Sequence, residues 1–160
     1  MKSITISSTL DIYECIDELP SDIQNLMKKA FEARDKAYAP YSQFQVGAAI
    51  GLENNEIVTG SNQENASYPN GLCAERTAIF YAGAQFPKVK IKNLAISARS
   101  LTHSMVTPVP PCGACRQVIA EYELKQEEPI DIYFMGESGK VVRSASLKNI
   151  LPLIFDSSYL

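Results

Sequence analysis

Three cysteines and a glutamate have the types and spacing that chemistry requires. Cys112 and Cys115 stand at i and i+3 in "PPCGACRQ", while Cys73 and Glu75 stand two apart in "NGLCAERTAIF". Pro110 and Pro111 keep the chain before the pair extended, so Cys112 and Cys115 are expected on the first turn of a helix with both sulfurs facing one way. Gly113 and Ala114 between them are small and let that turn approach another element closely. The free amides and positive dipole end of a helix start favour thiolate over thiol. Taken alone, the pair fits half of a zinc site, a redox dithiol or two cysteines packed in a core. Cys73 also opens an apolar helical stretch, and a third thiolate points to zinc with three protein ligands and one position left for water. No fourth ligand is obvious: Cys15 lies near the N-terminus and His103 lies in the polar stretch "SLTHSMVTP".

Three anionic sulfurs weaken the metal's acidifying effect on water, so such a site needs help from its surroundings. Arg76 and Arg116 each follow a cysteine closely and are expected to hydrogen-bond the thiolates, with surface exposure on the helices as the alternative. Glu75 is the natural proton carrier; the plainer reading is an acidic residue placed in a first turn by the helix dipole. Residues i and i+2 do not share a helix face, so Cys73 and Glu75 converge only if the helix start is irregular or the glutamate bends back.

The elements that position these residues read as follows. In "SDIQNLMKKAFEARDKA", Ile23, Leu26, Met27, Ala30, Phe31 and Ala37 recur at helical spacing, with Ser21 as the expected cap. Arg34 interrupts that stripe, where burial suits only its aliphatic stem. "QVGAAIGL" and "EIVTGSN" flank "ENN" as a hairpin. "CAERTAIFYAGAQF" reads as helix, "IKNLAIS" as strand, "CGACRQVIAEYEL" as helix and "IDIYFM" as strand, followed by a turn, a short strand and a final short helix or loop. Such alternation predicts an α/β/α sandwich around a mixed sheet, with the chemistry in loops at the strand ends. The whole of 1–160 is expected to form a single domain, with 1–20, including "SITIS", as an arm that is either a short strand or loosely packed.

Composition agrees with this reading. The chain of 160 residues is long enough for a substantial core, and its 46% hydrophobic and 21% charged content is that of a globular protein. A net charge of −3 offers no basic face for a phosphate backbone, so nucleic acid is not the expected partner and a small molecule is. No stretch suits a signal peptide or membrane span, so a cytoplasmic location is expected, where the four cysteines stay reduced.

"CAER" followed by "PCGACRQ" resembles the signature of the zinc-dependent nucleobase and nucleoside deaminases. Together with "YSQFQVGAA" and "GSNQENASYPNGLCAERTA", in this order, it closely resembles the small cytidine deaminases with three cysteine ligands. The similarity runs from about residue 22 to 153. It implies hydrolytic deamination of cytidine or 2′-deoxycytidine to the uracil nucleoside and ammonia, as in pyrimidine salvage. It also implies one zinc per subunit on Cys73, Cys112 and Cys115, proton transfer by Glu75, and thiolate charge offset by Arg76. Phe44 resembles the aromatic that stacks on the base, Asn62 and Glu64 match the pair that holds the ribose 3′-hydroxyl, and the Ala74 amide corresponds to the contact with the base carbonyl. A carboxylate at position 64 repels phosphate, which favours a nucleoside over a nucleotide or a polynucleotide. Ala66 and Tyr68 resemble a segment reaching a neighbouring subunit's site, and the family's usual assembly is a homotetramer.

Two features depart from the resemblance. The first twenty residues precede it, and Phe155 in "LPLIFDSSYL" lacks the Gly-Pro that often follows the corresponding phenylalanine. The rival functions are a deaminase of blasticidin-type nucleoside antibiotics, a non-catalytic zinc module, and a thiol-disulfide oxidoreductase using "CGAC".

Overall fold

In the computed structural model, which describes all 160 residues, the stripe of Ile23, Leu26, Met27, Ala30 and Ala33 is the buried face of the first helix, α1 (Ser21–Arg34). Ser21 is the first helical residue rather than its cap. Pro20 takes the cap position in an extended conformation, and no side chain bonds the first turn. A proline ring presets that entry, so the serine hydroxyl is not needed to start the helix. The helix ends at Arg34, before Ala37, in turns closed by the Lys36 and Ala37 amides.

The hairpin forms as expected from β2 (Phe44–Leu52) and β3 (Ile57–Ser61), with Asn55 in the left-handed region of the turn at φ 67°. On its other side β2 pairs antiparallel with β4 (Ile91–Ser100), which runs parallel to β5 (Asp131–Met135). Strand β6 (Val141–Ser144) pairs antiparallel with β5, and β1 (Asp11–Tyr13) adds an antiparallel edge. The sheet order is therefore β1-β6-β5-β4-β2-β3, a mixed sheet. Residues 1–10 are exposed and carry no regular structure, so "SITIS" is arm, and the strand of this region lies just beyond it at β1.

Strand periodicity divides the core between the two sheet faces. Ala49 and Ala95 turn toward α1, while Ala48, Ile50, Leu94 and Ile96 turn toward the second and third helices, α2 (Ala74–Gln85) and α3 (Gly113–Gln126). This is the α/β/α sandwich. Both outer layers sit very close to the sheet. A Cβ on Gly47 would lie 2.0 Å from the Ala30 carbonyl oxygen of α1, and one on Gly60 would lie 2.7 Å from the Ala74 carbonyl oxygen of α2.

Arg34 departs from the sequence expectation, because the whole residue is buried and not only its stem. Its Nη1 donates to Ser97 Oγ at 2.8 Å, Ser97 Oγ donates to the Gly136 carbonyl, and the guanidinium lies 5.1 Å from the Phe31 ring centroid. The absent side chain of Gly47 and the small Ser97 opposite leave room for it. Burial, and then the charge of Arg99, hold its pKa below the ordinary arginine value.

Candidate metal centre

Strands β3 and β4 both run antiparallel to β2, so both point the same way and their C-terminal ends lie at one edge of the sheet. The loops leaving that edge return as the starts of α2 and α3 on the same face. Topology thus brings two distant stretches of sequence together.

Cys73 occupies the cap position of α2 with φ −71° and ψ 153°, and Cys112 caps α3 with φ −65° and ψ 166°. Neither sulfur takes a cap hydrogen bond from the backbone amides of its own helix. Cys115 follows in the first turn of α3 and is fully buried. The Cys73 and Cys112 sulfurs are 3.9 Å apart and those of Cys112 and Cys115 are 3.5 Å apart, with all three within 4.8 Å of one another. Tetrahedral zinc with bonds near 2.3 Å holds its sulfurs about 3.8 Å apart, so the donor set fits that ion.

The extended cap resolves how Cys73 and Glu75 meet. The i, i+2 separation applies within a regular helix, and Cys73 lies outside it. Glu75 sits in the first turn of α2, only 5% exposed. Burial raises its pKa above the usual carboxylate range, and the Cys73 charge adds to the rise. Hydrogen bonding from the Cys115 thiol, opposed by burial and aided by Arg76, brings Cys73 down to about 5, and the same contact with Cys73 together with burial raises Cys115. One thiolate is therefore already favoured among the three sulfurs. Ala74 is fully buried as the first residue of α2, where a backbone N–H has no intrahelical acceptor.

The two arginines separate. Arg76 Nη2 donates to Cys73 Sγ at 3.5 Å, and its buried Nε has no partner. Arg116, expected to reach a thiolate, turns away. Its Nε donates to the Pro111 carbonyl at 2.8 Å and its Nη1 to the Ile150 carbonyl at 2.9 Å, because the chain after β6 returns over this part of α3 and offers an open acceptor. Thr77, which sequence reasoning passed over, donates through Oγ1 to the Cys73 carbonyl at 3.1 Å and steadies that cap. Its position four residues after Cys73 was the available signal.

The remaining candidates lie on segments tied to this centre. Gln63 and Leu72 exchange two backbone hydrogen bonds of 2.9 Å, linking the Asn62–Glu64 segment to the residue before Cys73. Asn62 bonds the backbone of Phe44 and Val46 through its side chain. Glu64 Oε2 accepts from the Tyr41 N–H at 2.9 Å and the Ser42 N–H at 3.3 Å. Burial opposes ionisation of Glu64, but the Ser42 hydroxyl and these two amides outweigh it and hold the carboxyl below its ordinary pKa. Phe44 is half-buried at the start of β2. Tyr41, Ser42, Glu64, Asn65, Tyr68 and Gly71 line a hollow of about 350 Å³, with the Tyr41 and Tyr68 rings 6.0 Å apart. Ala66 and Tyr68 are exposed at the protein surface. Phe155 is exposed and stacks on Tyr159 at 5.7 Å, and its carbonyl accepts from Gln117 Nε2. A smaller hollow of about 230 Å³ at the C-terminal ends of α2 and α3 contains none of the cysteines.

A three-layer α/β sandwich carrying three convergent sulfurs at two helix starts, with a buried carboxyl beside them, defines a zinc-centred protein of hydrolytic type. The profile of the cytidine and deoxycytidylate deaminase zinc-binding region matches residues 20–127. The chain is 49% identical over 102 residues to the cytidine deaminase of Halalkalibacterium halodurans, covering 62% of this chain and 71% of that protein. It is 37% identical over 132 residues to the cytidine deaminase of Mycoplasma pneumoniae, covering 81% of this chain and 91% of that protein. The crystal structure of cytidine deaminase from Burkholderia pseudomallei superposes with a TM-score of 0.70 at 36% identity, covering 82% of this chain and 97% of the other. The chain belongs to the cytidine and deoxycytidylate deaminase family.

Proposed function

We propose that the protein is a zinc-dependent hydrolase that deaminates cytidine and 2′-deoxycytidine to uridine and 2′-deoxyuridine with release of ammonia, a reaction of pyrimidine salvage. The observation that carries this reading is the buried Glu75 beside three sulfurs that fit zinc. Cys73, Cys112 and Cys115 would hold the ion. When bound, zinc supplies Lewis-acid activation of water for attack on the ring.

Glu75 takes one proton from the attacking water and delivers it to the ring nitrogen, where the product keeps it, and then carries the second proton, from the hydroxyl added to the ring, to the departing amine. The water oxygen bonds to the carbon bearing the amino group, and the bond from that carbon to nitrogen breaks. A carboxyl whose pKa is raised by burial holds a proton more readily than a solvated one, which suits this shuttle. Arg76 offsets thiolate charge through its bond to Cys73. Phe44 stacks on the base, the Ala74 amide meets the base carbonyl, and Asn62 and Glu64 form the sugar end of the site. Glu64 keeps Oε1 for a sugar hydroxyl, since its backbone contacts both use Oε2.

The exposed Tyr68, together with Phe80 and Tyr81 on the outer side of α2, supports a homotetramer in which Ala66 and Tyr68 reach a neighbouring subunit's site. No helix is long and apolar enough to cross a membrane, and four unpaired cysteines fit a reducing cytoplasm. The test is loss of cytidine ultraviolet absorbance with purified zinc-loaded protein, wild type against Glu75→Gln. The glutamine variant is expected to keep zinc and lose about 10²- to 10⁴-fold in kcat. A wild-type protein that binds zinc but converts neither cytidine nor 2′-deoxycytidine rules the proposal out.

A further inference from the structure

Residues 1–10 and strand β1 carry one continuous pattern. In "KSITISSTLDIY" the even positions Ile4, Ile6, Leu10 and Ile12 are apolar, broken only by Ser8, while Ser3, Thr5, Ser7, Thr9 and Asp11 alternate with them. Period two over that length describes a strand with one apolar face. No proline or glycine interrupts it before Pro20. Only Asp11–Tyr13 is paired, and Asp11 lies opposite Arg143, one residue from the end of β6. The residues before Asp11 therefore overrun the sheet with no strand beside them.

The apolar stripe is uncovered. Ile12 lies opposite Val142 on the sheet face that packs against α2 and α3, yet it is 63% exposed, and Ile4, Ile6 and Leu10 are exposed as well. Tyr13, on the other face, packs with the α1 side of the core. Strand β1 is also the outermost of the sheet, so its second edge presents unpaired N–H and C=O groups. Two ion pairs hold that edge in place: Arg143 Nη1 with Asp11 Oδ2 and Lys140 Nζ with Glu14 Oε1, both at 2.9 Å.

The pattern is also self-complementary. Laid antiparallel on a copy of itself about Ser8, it sets Ile4 opposite Ile12, Ile6 opposite Leu10 and Ser8 opposite Ser8. Lys2 closes each end of that face opposite Glu14, whose Oε2 is left over from the bond to Lys140. On the other face Thr5 meets Asp11 and Ser7 meets Thr9. Centring the pair on Ser7 would put Lys2 opposite Ile12, and centring it on Thr9 would put Ile4 opposite Glu14. The Ser8 register is the one of these three that matches apolar to apolar and charge to opposite charge.

We infer that the arm is an assembly strand whose partner is a second copy of this chain: residues 2–14 of the two copies pair antiparallel about a two-fold axis at Ser8. This joins the two sheets and covers the apolar stripe across the strand pair. Each open β1 edge receives residues 3–5 of the second copy. With Ile4 level with Ile12, the two β1 strands lie about 27 Å apart along the ribbon, and each domain keeps to its own end. The contact uses no residue of the metal centre and lies outside residues 20–127, which match the deaminase profile.

Cysteine crosslinking of the full zinc-loaded chain in a Cys15→Ser background tests the inference, with zinc protecting the three clustered thiols. After mild oxidation, Ser8→Cys should run as a disulfide-linked dimer on a non-reducing gel, because directly opposed residues of an antiparallel pair lie within disulfide reach. Lys2→Cys and Glu14→Cys should each stay monomeric, since like positions are about 40 Å apart in this register. The double variant carrying both substitutions should crosslink. Adding Ile6→Lys to the Ser8→Cys chain places a charge against Leu10 and should cut the dimer yield about tenfold. Equal crosslinking of all three single variants means random collision of the arms and overturns the inference. So does a Ser8→Cys chain that stays monomeric, the result expected if the arm pairs with another edge such as β3.

Discussion

The starts of α2 and α3 are close counterparts in sequence, each a cysteine cap in an extended conformation with an arginine soon after, yet they do different work. At α2 the arginine bonds the cap sulfur and a buried glutamate follows the cap. At α3 the arginine holds two backbone carbonyls and a second cysteine completes the sulfur cluster. In the proposed reaction one start would carry the proton and charge chemistry, while the other braces the fold and would supply two ligands. Similar local sequence thus acquires different roles from what the fold places opposite it.

The sharpest break in this comparison is loss of the ligand buried at α3. Cys115→Ser is expected to abolish stoichiometric zinc and reduce activity to background, whereas Cys15→Ser, on the exposed arm, should leave both unchanged; metal analysis alongside the deaminase assay measures this. A smaller effect separates the packing of the two starts. A side chain on Gly60 meets the backbone of α2, so Gly60→Val should displace that helix, destabilise the protein by about 1 to 3 kcal/mol and weaken zinc retention. Gly113, at the start of α3, has nothing within 4 Å of an added Cβ, and Gly113→Ala should change stability by less than about 1 kcal/mol. Denaturant melts of both variants give the contrast.

The arginines should then divide stability from catalysis. Arg116→Ala removes two hydrogen bonds to backbone carbonyls and is expected to cost about 2 kcal/mol in stability. Arg76→Ala should cost about tenfold in kcat with little change in the melt, since its one sulfur contact serves the thiolate. Equal melting losses for the two variants would remove the distinction. The smallest effect is one of pH at the neighbouring Glu64. Its folded pKa is depressed, so the ionised form is favoured and its contribution is lost only as pH falls through that lowered value. The cytidine KM should therefore stay level down to pH 4.5, the ordinary glutamate value, and rise only below it. A rise that begins at higher pH would assign acid sensitivity to another group.

Much of this was legible in the residues. The stripe from Ile23 to Ala33 announced α1, the alternation around "ENN" announced the hairpin, and the three cysteines with Glu75 announced the centre, because helical and strand periods and ligand types are local properties. Other features depended on partners distant in sequence. Burial of the whole Arg34 side chain required Ser97 and the space at Gly47, and the path of Arg116 required the Ile150 carbonyl. Strand β1 is three residues long and exists through its pairing with β6, so its own sequence carried too little pattern.

By itself the sequence determined which residues were chemically equipped: three thiols at two helix starts, a carboxyl beside one of them, and the apolar patterns that fold the elements. Only the tertiary structure decided that β3 and β4 point the same way and deliver both helix starts to one edge. Only it decided that Cys73 leaves the helix as an extended cap so that Glu75 can join it, and that Asn62 bonds the backbone of Phe44. The physical reason is that residue type and period are set along the chain. Distance, burial and the choice of hydrogen-bond partner are set by segments that meet only after folding.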